Sequence, residues 1–240
     1  MTDVAGRPAF YSLGAGTGGI RDWVTLLHPP YTAWHLSYVA IGATLAPRFA
    51  LWRLGGTLLA FFLAVGIGAH ALDELSGRPL RTGIAEPFLW AAAAVGVAVP
   101  VAVGLAYGGL HLLPFVVVGA VLVAGYNLEL FGLHNAVVFA LGWGAFPVLT
   151  GFYAQDFTLG LSVVIAAIAA FFLSLGQRAL SAPARALRRR TATVQGRIEM
   201  HDGTLVAIGP ETLLTPIETA LRLTAAGMVC VAAAMVVARL

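Results

Sequence analysis

The run GAHALDELSGRPLRTG, residues 68–83, gathers the densest set of chemically capable side chains in the sequence. On a helix His70, Asp73, Glu74 and Arg78 stand three or four residues apart and share one face. One imidazole and two carboxylates at this spacing can supply two or three ligands to a divalent metal. With Arg78 they can equally form a charge network that is purely structural. Asp73 and Glu74 are the candidate catalytic carboxylates, and His70, Asp73 and Glu74 the candidate metal ligands. Mg suits a carboxylate set, whereas imidazole ligation would favour Zn or Fe.

Two further runs carry polar groups to the same level. GYNLELFGLHN, residues 125–135, offers Tyr126, Asn127, Glu129, His134 and Asn135. HPPYTAWHLSY, residues 28–38, offers His28, Tyr31, Thr32, Trp34, His35 and Tyr38. An aromatic belt at a membrane surface accounts for Tyr31, Trp34 and Tyr38. It does not account for His35, about one turn past Tyr31. Gln177 and Arg178 close another apolar run nearby in the same sense. The candidate substrate-binding residues are therefore His35, Arg78, Tyr126, Asn127, His134, Gln177 and Arg178. On the opposite side His111 and Asp156 stand alone, so the polar groups point to a cavity open to one side only.

The elements that must position these residues are membrane helices. Hydrophobic residues make up 59% of 240 positions and charged residues 10%, with a mean hydropathy of +0.87. An ordinary soluble domain carries about 25% charged residues, and one of this size has too little interior to hide so much apolar surface. Seven segments approach the ~20 apolar residues a span requires. They are 31–46, 51–72, 87–107, 110–128, 133–153, 157–176 and 217–238, all within one integral membrane domain, residues 1–240. Abundant Gly, Ala and Ser inside them permits close helix packing in lipid.

All basic side chains are Arg, and seven spans with the N-terminus inside place eleven of the 14 on the cytosolic side. Only Arg48, Arg53 and Arg239 then fall outside. This bias predicts insertion in the cytoplasmic membrane with the N-terminus in the cytosol and the C-terminus outside. The small net charge of +3, clustered in loops, does not point to nucleic acid. No cleavable signal peptide is expected, since residues 1–30 hold Arg7, Asp22 and several glycines without an apolar core. The lone Cys230, in an apolar run, excludes an intrachain disulfide and reads as a small hydrophobe.

Two segments are not read as spans. Residues 12–30 place Ile20, Trp23, Val24, Leu26 and Leu27 beside Arg21 and Asp22, as an interfacial amphipathic helix would. Residues 179–216 form a cytosolic basic loop in which Arg188, Arg189 and Arg190 either anchor the topology or touch anionic headgroups. Within that loop, apolar residues alternate around Asp202-Gly203, the signature of a β-hairpin.

The chain resembles the UbiA superfamily of intramembrane prenyltransferases over roughly residues 20–180. The likeness is carried by the HPPYT turn at 28–32, the glycine-containing AIGATLAP at 40–47, the polar motif ending in Arg78-Pro79-Leu80, Tyr126-Asn127, and the glycine-rich FALGWGAFPVLTGFY at 139–153. The resemblance implies an all-α helical cage around a cytosol-facing cavity. In that family Asp-rich motifs hold Mg²⁺ against a polyprenyl diphosphate while an acceptor is prenylated. The metal neutralises the leaving diphosphate, and Arg side chains share the charge. The family's Asn-x-x-x-Asp-x-x-x-Asp falls on His70, Glu74 and Arg78, with Asp73 one place off. Its second acidic motif has no counterpart, because no Asp or Glu lies between Asp156 and Glu199.

Three functions are consistent with these features. One is a divergent prenyltransferase-type enzyme acting on an isoprenoid or lipid, with Asp73 and Glu74 on one metal. Another is a membrane enzyme with a transition metal bound by His70, Glu74 and His134, with His35 as a candidate fourth ligand. The last is a non-catalytic lipid-binding or assembly protein that keeps the cage. The partner expected in each case is a membrane lipid or isoprenoid.

Overall fold

The computed structural model of the chain describes residues 7–13 and 16–240. Among these residues the chain forms eight helices and one hairpin. They run in the order α1 (Ile20–Leu26), α2 (Pro29–Leu45), α3 (Leu51–Leu75), α4 (Glu86–Gly108), α5 (Leu113–Asn127), α6 (Ala136–Asp156), α7 (Leu161–Arg189), β1 (Gly196–Glu199), β2 (Leu205–Ile208) and α8 (Pro210–Val237). Every expected span is a helix. Five of them, α3, α4, α6, α7 and α8, are long and apolar enough to cross a membrane. The apolar α5 has 15 residues and α2 has 17, short of the ~20 a perpendicular crossing takes. The protein is a helical membrane protein.

Prolines open α2, α4, α5 and α8, where a missing N–H costs nothing. Pro100, Pro183 and Pro216 sit inside helices, as membrane segments allow.

Helix α2 is the hub, packed against α3, α6, α7 and α8. Its crossing with α6 is made by glycines. A Cβ on Gly42 would lie 2.0 Å from the Val148 carbonyl oxygen, and one on Gly151 would lie 2.2 Å from that of Val39. The two backbones therefore touch, an arrangement that favours dispersion contact where no hydrophobic drive acts between helices.

Two helices widen locally into π-helix, Phe62–Ala69 within α3 and Leu141–Ala145 within α6. The first ends directly before the candidate His70, and the second contains Trp143, whose carbonyl meets the candidate His35; functional sites are a recurrent setting for such turns.

The hairpin forms where Asp202-Gly203 predicts it, with Gly196 paired to Ile208 and Glu199 to Leu205. Gly203 adopts a φ of 83°, and Asp202 accepts from the Thr204 N–H at 2.9 Å. Two expectations need correction. The 179–216 segment is not one loop, because α7 continues to Arg189 and α8 begins at Pro210. The stretch ALSAPARALRR is rich in strong helix formers, and a single Pro does not stop it. The 12–30 segment is helical only over the seven residues of α1, and residues 14 and 15 lie outside those described. In α1 Asp22 is buried along with Thr25 and Leu26, whereas Ile20 is exposed.

Candidate functional site

Two carboxylates at the arginine-rich pole are consumed in building it. Glu74 is fully buried and accepts the N–H groups of Leu80 and Thr82 at 2.9 and 2.8 Å and the Thr82 hydroxyl at 2.8 Å. Asp22 accepts the N–H groups of Gly16, Gly18 and Gly83 at 3.1, 2.6 and 3.0 Å. Burial opposes ionisation of Asp22, but the amides of Gly83, Gly18, Gly16 and Thr17 outweigh it and hold the carboxyl below its usual range. The approach is close enough that a Cβ on Gly83 would lie 2.2 Å from the Gly16 oxygen. Arg78 completes the same loop by donating to the Ile84 carbonyl at 2.6 Å. Glu74 and Arg78, expected to serve catalysis and substrate, shape the 76–85 turn.

Asp73 differs from its neighbour. Its carboxylate has no hydrogen-bond partner among the described residues, and Arg189, Arg185 and His134 lie within electrostatic reach. Beside it His70 donates Nδ1–H to the Gly66 carbonyl at 3.1 Å, and its ring stacks on His28 at 4.0 Å and 9°. His28 in turn meets the Tyr11 hydroxyl at 2.9 Å through Nδ1, while its buried Nε2 has no partner among the described residues. Burial, then the charges of His70, Arg189 and Arg185, push the His28 imidazole well below its ordinary value, so it is neutral. Burial raises the Tyr11 hydroxyl well above its own.

The remaining predicted residues form a second group. The Tyr126 hydroxyl accepts from Arg178, whose guanidinium lies 5.5 Å over Phe139. His134 stacks on Tyr126 at 4.4 Å and donates to its carbonyl at 3.1 Å. Asn127 donates to the Val123 carbonyl at 2.7 Å. His35 donates from Nδ1 to the Trp143 carbonyl at 2.8 Å, tying α2 to the π turn of α6. Gln177 is buried, and its Oε1 has no partner among the described residues.

Among the described residues, no three His, Cys, Asp or Glu side chains are placed to hold one metal ion. The expected trio does not gather: His70 is directed at its own helix, and Glu74 at the 80–82 backbone. Sequence reasoning missed Tyr11, Arg185 and Arg189 as neighbours of Asp73. The four-residue spacing of the two arginines on a continued α7 is the one signal that could have found them.

A cavity lies elsewhere. An apolar groove of about 260 Å³, partly open, runs between α3, α4, α5 and α6. It extends along α3 from Arg53 to Val65, about 18 Å at the ordinary helical rise. Both π turns contribute to its inner end, through Val65 and Trp143. There Trp143 backs onto Tyr126 at 4.5 Å.

Set against known protein families, curated proteins and solved structures, the chain matches none.

Proposed function

We propose that this is a lipid-binding membrane protein that keeps a UbiA-like helical cage and holds one isoprenoid or alkyl chain in the groove between α3, α4, α5 and α6. The observation that carries the reading is the groove itself, long, narrow and apolar, walled by helices that would otherwise close on one another. Its volume falls just below the ~300 Å³ where drug-sized sites begin, which suits a single chain rather than a bulky headgroup. With α2 and α5 also crossing, the spans number seven, the N-terminus is cytosolic and the arginine-rich pole faces the cytosol. Native mass spectrometry of the full chain released from a non-ionic detergent tests the reading. A co-purified prenyl or acyl lipid is expected, and protein that stays empty when offered dodecanol or farnesol would sink it.

A second reading, prenyl transfer from an isoprenoid diphosphate, is favoured by Asp73. It is unbonded and lies in reach of Arg185 and Arg189, which could share the diphosphate charge. With Glu74 committed to the backbone, a single carboxylate stands where a metal-bound diphosphate needs several. Turnover of farnesyl diphosphate that vanishes in Asp73→Asn would establish this reading. Equal, metal-independent binding by both proteins would dismiss it.

A further inference from the structure

The pole opposite the arginine-rich one carries few ionisable groups, yet two buried donors there lack acceptors. Gln155 is 1% exposed; its Oε1 accepts the Ala50 N–H at 2.8 Å, which sets the amide orientation. Its Nε2 has no partner among the described residues, and neither does Nε of Arg53. Arg53 spends one Nη on the Gln155 carbonyl and is enclosed by Trp52, Tyr107 and Phe157 at 5.3, 5.7 and 5.8 Å. It has no carboxylate partner among the described residues. Buried donors left without acceptors are expensive, and a partly buried guanidinium without a counter-ion more so.

Both residues line a cavity of about 360 Å³ together with Arg48, Trp52, Asp156 and Phe157. The one acid there is already answered. Asp156 is 3.7 Å from Arg48 and accepts the Thr158 hydroxyl at 2.6 Å. The uncompensated charge is that of Arg53, in the first turn of α3, where the helix dipole adds positive potential. Trp52 and Arg53 also line the apolar groove, so the two spaces meet at one wall.

We infer that this pole is an anion site for the phosphate head of a single-chain amphiphile whose tail occupies the groove. The inference rests on the groove reading above and adds the headgroup and the end at which it sits. Arg53 supplies the charge and Nε–H, and Gln155 supplies Nε2–H. The chain runs toward Trp143.

The test titrates the detergent-purified full chain with dodecyl phosphate, dodecanol and inorganic phosphate, counting adducts by native mass spectrometry. Wild-type protein should prefer dodecyl phosphate to dodecanol, and Arg53→Gln should weaken the phosphate ligand on the order of tenfold while sparing dodecanol. Arg53→Lys, which keeps the charge but loses the guanidinium fork, should fall between them. Gly56→Leu, which fills the groove where a Cβ meets nothing, should weaken both chains. Equal binding of dodecyl phosphate and dodecanol would overturn the headgroup site and leave the groove reading standing. Inorganic phosphate binding as tightly as dodecyl phosphate, untouched by Gly56→Leu, would reduce the site to one for a free anion. Failure of every chain to bind removes the groove reading itself. Unchanged elution and melting of the variants separate lost binding from lost fold, and if Arg53→Gln misfolds, Arg53→Lys and Gly56→Leu carry the comparison.

Discussion

The two poles of the bundle use polar residues in opposite ways. At the arginine-rich pole they are crowded, and most are answered by the protein: Glu74 by the 80–82 turn, Asp22 by loop amides, Arg188 by Glu218. At the Arg53 pole they are few, yet two donors remain without acceptors beside a cavity that adjoins the groove. Crowding therefore marks where loops must be closed in a chain with little water around its backbone. Unmet hydrogen-bonding capacity next to a void is what the proposed headgroup site rests on. Asp73, His28 and Gln177 are the exceptions at the crowded pole, and Asp73 is the one on which the transfer reading rests.

The sharpest way to break this contrast is to remove a partner that the crowded pole is said to need. Arg188→Ala strands Glu218, which its Nε and Nη2 meet at 2.5 and 2.8 Å. The expected loss is about 3–5 kcal/mol, read as thermal unfolding in detergent. A loss below about 1 kcal/mol would class the pair with ordinary surface bridges. Next come adjacent carboxylates. Glu74→Gln turns an amide onto backbone donors and should lose about 1–3 kcal/mol, whereas Asp73→Asn, which breaks no hydrogen bond, should lose clearly less. Equal losses would erase the distinction between them.

A pH series probes the same pole. His28 is held neutral in the fold while the unfolded chain takes up a proton near the ordinary value of 6.5. Its contribution is thus full above that pH and is lost as pH falls below it, by at most about 1.4 kcal/mol per unit. His28→Phe, which can still stack on His70, should flatten the slope of melting temperature between pH 6.5 and 5; an unchanged slope would show that other groups set it. A small effect is also expected at the sparse pole. Gln155→Met removes an orphan donor together with one accepted bond, and the two should offset to within about 1 kcal/mol. A larger loss would mean the side chain is already satisfied in the protein.

Much of this architecture is legible in local chemistry. Apolar runs bounded by Pro, Gly and Arg place all seven long helices, because in lipid a backbone must satisfy itself and a helix is the local way to do so. Asp202-Gly203 specifies the hairpin, because its turn geometry is settled by neighbouring residues. The same reasoning overextended the 12–30 helix, where Asp22 is drawn inward by amides from the distant 83 turn. It also left Arg188 as either a topology anchor or a headgroup contact, when its partner lies 30 residues on.

What the sequence determined alone is the solvent, the helices and the residues able to do chemistry. What only the tertiary structure decided is which of them remain free to do it. Asp73 and Glu74 are adjacent carboxylates on one helix, and a helix turns successive side chains about 100° apart. That rotation points Glu74 at the loop amides and leaves Asp73 among arginines. The groove and the orphaned donors of Arg53 and Gln155 arise from helices remote in the chain, so no local pattern records them.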